Sequence, residues 1–286
     1  MMKKNLRFIL FMLCIPMMLA SCIRPDGEGH ESRKEQPTLG DAPEHYYESV
    51  EYSYQTDVNV EKLLTGLDSD YLLLANKEYV LGADHAPASV VTLTCDTYLN
   101  KEVKLESRTA EALYEMMEEM HAAGVTDISV TSGYRTYSYQ QGLFNQYLKN
   151  EMATISDDAR KCFSSDYLRE KYTENGLTGL DYADARVVVL SYSAFPGTSE
   201  HQTGLCLDFV SSGAILTTAF ENTEAFAWLK DNAHKFGFIL RYPKGKEDIT
   251  GYTYEPWHYR FVGREAATDI YYGNLTLEEY LGVTNE

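Results

Sequence analysis

In residues 107–123 the apolar positions fall at Ala110, Leu113, Met116, Met117 and Met120. That three- and four-residue spacing lines one face of a helix, and Gly124 stops it. Residues 127–131 alternate instead, as a strand does, and run into a Ser132-Gly133 turn. Residues 205–210 also read as a strand, with Cys206 and Asp208 on one face and Leu205 and Leu207 on the other. Further short strands are expected at 71–74, 90–94, 238–242 and 254–261. Helices are expected at 137–152, 183–192, 223–236 and 263–272, with Gly237 ending the third of these. Residues 157–175 are polar and read as an exposed helical insertion. Strands and helices mix without a βαβ rhythm, so the expectation is one α+β domain, a small antiparallel sheet flanked by helices.

The N-terminus places this domain. Lys3, Lys4 and Arg7 precede an apolar run, residues 8–20, too short to span a bilayer comfortably. The run ends in Leu19-Ala20-Ser21-Cys22, which resembles a bacterial lipobox. Residues 1–21 are therefore expected to be a lipoprotein signal peptide, with Cys22 carrying lipid after cleavage. Residues 22–60 follow as a flexible tether, its first half rich in Pro, Gly and charge, and residues 61–286 form the domain. The stretch 46–54 is crowded with Tyr and Glu and has no assignable role. The expected location is extracytoplasmic, on a membrane through the N-terminal lipid.

Charge then removes some partners. The chain carries a formal net charge of −18, and loss of three signal-peptide cations takes it to about −21. No basic stripe is visible, which argues against nucleic acid. No protein partner is implied. Cys95, Cys162 and Cys206 remain after Cys14 and Cys22 are accounted for, an odd set with no C-x-x-C motif. A single disulfide among them stays open.

Candidate chemistry lies in two separated stretches. His201 and Asp208 sit in SEHQTGLCLD, residues 199–208, and His258 follows Glu255 by three in EPWHYR, residues 255–260. Two imidazoles and a carboxylate suit a catalytic zinc ion that keeps one position for water. A second carboxylate, Glu255, could take the proton from that water. Pro256 and the aromatic residues around it favour extended chain, where Glu255 and His258 would face opposite ways. A bend is needed to bring both to one site. Arg135 lies in a turn, SGYRT, and could serve the site or pair with a surface acid. On spacing alone the histidines and acids could equally be a chance cluster. His30, His45, His121 and His234 fall outside the site, and His85 is a loop residue within possible reach of substrate.

Three segments carry a resemblance: SGYRTYSYQ at 132–140, SEHQTGLCLDF at 199–209 and EPWHYRFVG at 255–263. In order and separation they resemble the signatures of the VanY-type D-alanyl-D-alanine carboxypeptidases, zinc peptidases that trim bacterial cell-wall peptides. YLLLANKEYVLGADHAP at 71–87 and GFILRYPKGKEDITGY at 237–252 resemble further parts of the same family. The resemblance implies a single zinc D,D-peptidase-like domain with Zn2+ on His201, Asp208 and His258. It implies Glu255 as catalytic base and Arg135 as the catalytic cation that grips the polarised carbonyl oxygen or the substrate carboxylate. Ser132, Gln140 and Ser199 would position the peptide. Cys206 stands where the family usually has alanine, so it is expected near the metal but outside a ligand set already three strong. His85 stands where an aromatic is common. The implied substrates are peptidoglycan stem peptides ending in D-Ala-D-Ala. An L,D-carboxypeptidase or an endopeptidase of the same fold is the enzymatic alternative, and a non-enzymatic wall-binding lipoprotein the other. A serine D,D-peptidase is disfavoured, because no S-x-x-K occurs.

Overall fold

The computed structural model describes residues 34–37, 45–64 and 66–283. The expected signal peptide, Cys22 and the first part of the tether lie outside the described residues. In chain order the elements are β1 (Val90–Thr92), β2 (Lys104–Glu106), α1 (Ser107–Ala122), β3 (Ser129–Ser132), α2 (Tyr137–Ala153) and α3 (Asp157–Cys162). Then come α4 (Ser165–Leu168), α5 (Tyr182–Tyr192), β4 (Cys206–Val210), α6 (Glu224–Asn232), β5 (Phe238–Leu240) and α7 (Glu247–Thr250). β6 (His258–Phe261), α8 (Arg264–Gly273) and α9 (Leu277–Tyr280) close the chain. The expected mixed class is observed. β1 and β2 form an antiparallel pair, and a second, four-stranded sheet runs β3-β4-β6-β5, antiparallel throughout.

Alternation within the larger sheet divides its two faces. Leu207, Phe209, Tyr259 and Phe261 point into the main core with Leu113, Met116 and Met120 of α1 and Phe236 and Phe238. The opposite face carries Cys206, Asp208, His258 and Arg260, all of them buried too. An antiparallel ladder sets directly opposed residues about 4.5–5.5 Å apart. Asp208 pairs with Ser132 on one side and His258 on the other, so three site candidates form one row across three strands. A register shift between Val130 and Ser132 brings Ser132 into that row.

α1 begins where expected because the Glu106 side chain caps it, accepting from the Arg108 and Thr109 amides. The residues expected as a helix at 223–236 divide into α6 and a tighter 3-10 turn, Ala233–Phe236, before Gly237 at φ +85°. The 157–175 insertion is helical but not wholly exposed. Ala159, Leu168 and Tyr172 pack with Phe144, Leu148, Val188 and Val189 in a separate apolar cluster.

Three local expectations are corrected. Residues 71–74 are not a strand, because their backbone acceptors are taken by side chains distant in sequence. Arg260 Nη2 donates to the carbonyls of Tyr71 (2.9 Å) and Leu73 (2.7 Å), and Gln36 brackets Leu74 with two hydrogen bonds. The strand expected at 254–261 starts only at His258, after a turn closed by the His258 amide on the Glu255 carbonyl. Residues 45–59, within the stretch read as tether, lie against the domain. Tyr47 N–H donates to Asp269, the Tyr52 hydroxyl meets Thr268, and Glu119 of α1 accepts the amides of Gln55 and Thr56. Cys95, Cys162 and Cys206 are all free thiols. Among the described residues no helix is long and apolar enough to cross a membrane.

Candidate active site

The bend required at Pro256 is present, and it brings Glu255 Oε2 to 3.7 Å from His258 Nδ1. The same Nδ1 lies 3.1 Å from Asp208 Oδ1, and His201 Nε2 lies 3.3 Å from Asp208 Oδ2. Strands β4 and β6 thus supply Asp208 and His258. His201 comes from a 3-10 turn, Glu200–Thr203, that ends at Gly204 with φ +70°. A side chain at Gly204 would meet Pro87 Cγ at 2.8 Å and the Glu106 amide nitrogen at 3.1 Å. Glycine is needed there for both backbone conformation and space.

Each imidazole is oriented from behind. His201 Nδ1 donates to the Gly133 carbonyl at 2.8 Å, which turns Nε2 toward Asp208. His258 Nε2 faces Glu200 Oε2 at 3.5 Å, leaving Nδ1 toward the site. Glu200 in turn is gripped by Arg241 Nε at 2.7 Å and Arg260 Nη1 at 2.8 Å, and Arg241 also pairs with Glu278. All four of these charged groups are buried. The sequence reading assigned Glu200 no role. Its signal was its place beside His201, but the two arginines that neutralise it come from 41 and 60 residues away.

Arg135 stands at the rim, its side chain 21% exposed, with Nη2 3.4 Å from Asp208 Oδ2. Ser132 Oγ accepts from both Nε (3.1 Å) and Nη2 (2.7 Å) of this guanidinium. Gln140 is 2% exposed. Its amide donates to the Ala194 carbonyl at 2.8 Å and accepts from Arg135 Nη1 at 3.5 Å. Ser132 and Gln140 are therefore placed as supports of Arg135. Ser199 is buried at the start of the turn that carries His201. His85 is half-buried, and its carbonyl and that of Gly82 accept from Gln202, which fixes that loop beside the His201 turn.

Electrostatics couple these groups. Burial and Arg135 push His201 down, but Cys206 and Asp208 outweigh them and carry it up to about 9. Burial likewise opposes charge on His258, yet Cys206 and Asp208 raise it well above the ordinary histidine value. Burial would raise the Asp208 carboxyl, but the two imidazoles hold it well below the usual range. Glu255 behaves differently: burial pushes it up to about 7, with Asp208 adding to the rise against His258, His201 and Arg135. A carboxyl poised near neutrality can both take and return a proton.

The donor set fits a soft or borderline divalent metal. Asp208 Oδ1 is buried without a hydrogen-bond partner, an arrangement native proteins rarely tolerate unless another ligand satisfies it. One nitrogen each of His201 and His258 and the Cys206 sulfur lie within 4.8 Å of one another. The structure so brings together His201, Asp208, His258, Glu255 and Arg135, and adds Cys206 and Glu200.

Known proteins share this arrangement of chain. The D-alanyl-D-alanine carboxypeptidase family, VanY, matches residues 102–264. A D-alanyl-D-alanine carboxypeptidase of Enterococcus faecalis is 38% identical over 183 residues, covering 64% of this chain and 58% of that protein. Among solved structures, the LdcB LD-carboxypeptidase aligns with a TM-score of 0.60 at 29% identity, over 80% of this chain and 99% of that one. The vancomycin-resistance D,D-pentapeptidase VanY, solved with Zn(II), aligns with a TM-score of 0.55 at 33% identity, over 74% of this chain and 99% of its own. With more than half its length matched and its buried cluster of His201, Asp208 and His258 formed, the chain belongs to the VanY family of D-alanyl-D-alanine carboxypeptidases.

Proposed function

We propose that this protein is a zinc-dependent D-alanyl-D-alanine carboxypeptidase that removes the terminal D-Ala from peptidoglycan stem peptides. The observation that carries the reading is the convergence of His201, Asp208 and His258 with the partly buried carboxyl of Glu255 at 3.7 Å from His258. His201 Nε2, an Asp208 oxygen and His258 Nδ1 would hold the ion. When bound, zinc supplies Lewis acidity and brings the pKa of a water down to about 7.

The remaining chemistry belongs to the protein. Glu255 takes the proton from the attacking water and passes it to the leaving amine of the terminal residue. Its carboxyl, pushed up to about 7 chiefly by burial, suits both transfers. Arg135 is held by Ser132 and Gln140 and presents a cation where a terminal carboxylate or a developing oxyanion can be gripped. In a chain this acidic, that local cation is what allows an anionic peptide end to dock.

The test is incubation of purified protein with penta- and tetrapeptide muropeptides, with products identified by mass. Release of one D-Ala from the pentapeptide, abolished by a chelator, is the expected result. Cleavage of the tetrapeptide alone would replace this reading with an L,D-carboxypeptidase, which the similarity to LdcB favours. Cleavage only within cross-links would make it an endopeptidase.

We further propose an extracytoplasmic location on a membrane, through lipid on Cys22. The support is the Leu19-Ala20-Ser21-Cys22 sequence after a basic and apolar leader. Mass spectrometry of the mature protein should find a diacylglyceryl-modified Cys22 at the N-terminus. An unmodified chain starting elsewhere, in a host able to lipidate, would refute it.

A further inference from the structure

We propose that Cys206 is a direct ligand of the same metal ion, so that this centre binds with two nitrogens, one carboxylate oxygen and one sulfur. This rests on the metal-site reading above and deepens it. The strand geometry is the first support. Cys206 and Asp208 are two apart in β4 and so share the face that His258 approaches from β6. The Cys206 sulfur and one nitrogen of each histidine lie within 4.8 Å of one another. A tetrahedral ion with metal–sulfur about 2.3 Å and metal–nitrogen about 2.0–2.1 Å has ligand edges of about 3.3–3.6 Å. Modest side-chain closure brings the three atoms to that spacing.

The second support is independent of the cysteine. Asp208 is 3% exposed, its Oδ1 has no hydrogen-bond partner, and that oxygen sits 3.1 Å from His258 Nδ1. The unsatisfied oxygen and the sulfur thus both approach the His258 ring. Cys206 itself is fully buried and free, so no disulfide competes for it.

A thiolate at this point has chemical consequences. Sulfur shifts selectivity toward zinc and away from hard cations such as manganese or magnesium. With four protein donors the centre would have no free tetrahedral position, so a reacting water would need a fifth position or the thiolate's place. The ion is thus expected to be tightly held by a sulfur that can give way.

The experiment uses the full chain loaded with zinc or cobalt(II). Zinc-edge X-ray absorption of the wild type should show one sulfur at about 2.3 Å, absent in Cys206→Ala and Cys206→Ser. The cobalt form should show a thiolate-to-metal charge-transfer band that both variants lose. Zinc release to a chelator should quicken by about tenfold or more in Cys206→Ala, as expected for loss of a group that secures the ion. The wild-type spectra need no variant to fold. One zinc per chain with nitrogen and oxygen neighbours only would overturn the proposal and leave the zinc-peptidase reading intact. Failure of the wild type to bind any metal would overturn both.

Discussion

Replacing Glu200 with Gln should destabilise the whole domain, although Glu200 lies beside the site and touches no substrate position. The buried cluster holds two arginines and two glutamates, and its charges cancel. In Glu200→Gln, Arg241 keeps its two hydrogen bonds to Glu278, at 2.8 and 2.6 Å. Arg260 keeps only uncharged acceptors, the carbonyls of Phe261, Tyr71 and Leu73 and the substituted amide, and its charge is left uncompensated at 0% exposure. Breaking a buried pair in this way costs about 3–5 kcal/mol. At about 2–4 °C per kcal/mol for a domain of this size, the melting temperature should fall by about 6–20 °C. Burial alone would raise the Glu200 carboxyl, but Arg241 and Arg260 hold it below the usual range. Its contribution is therefore complete above the unfolded carboxylate pKa and is lost only as pH falls through the lower folded value. The gap between wild type and variant should be constant from about pH 5 to 8 and shrink in strong acid. Thermal unfolding by circular dichroism in a chelator isolates this term from metal binding. The double variant Glu200→Gln/Arg260→Met should recover part of the loss, because the orphaned charge is gone. With zinc added, the loss of the Glu200–His258 contact at 3.5 Å should weaken metal affinity by about 10–100-fold. A melting temperature for Glu200→Gln in chelator within about 2 °C of wild type would refute the reasoning.

Other outcomes follow from particular residues. Glu255→Gln should retain one zinc per chain, measured by elemental analysis, yet lose about 10²–10⁴ in kcat; near-normal turnover would remove Glu255 from the mechanism. Asp208→Asn keeps shape but lacks the anionic donor, and should bind zinc more weakly in a competition titration; unchanged affinity would argue against Asp208 as a ligand. His234 is buried against Tyr271 at 3.7 Å, and burial pushes it down to about 3. Its neutral form supports the fold above the unfolded pKa of about 6.5, and stability should fall by about 1.4 kcal/mol per pH unit as pH drops below that. His234→Phe should flatten the melting profile between pH 4 and 6, and an unaltered slope would count against this source. Phe209→Ala, in the main core, should cost about 3–5 kcal/mol in denaturant unfolding.

α1 could be read from its own residues because its apolar stripe and the stop at Gly124 are local. β4 was legible for the same reason: alternation alone puts Cys206 and Asp208 on one face and the leucines on the other. The candidate site residues were legible because the three motif segments are short and contiguous. Their convergence was legible only through the family resemblance and not from spacing, since His201, Asp208 and His258 meet through strand register and a turn. The run at 71–74 looked like a strand because its pattern is apolar, and nothing nearby could reveal that Arg260 takes its carbonyls. The tyrosines at 46–54 looked like part of a tether because their partners on α8 lie more than 200 residues away.

What the sequence by itself determined was therefore the periodicity of its elements and the inventory of groups able to hold a metal and move a proton. Those depend on neighbours a few residues apart. Only the tertiary structure decided which face of each strand meets which, how Pro256 turns Glu255 toward His258, and why Glu200 can stay charged in the core. It also brought the Cys206 sulfur within a metal's reach. Burial and long-range charge pairing make those decisions, and neither is a property of any single stretch of chain.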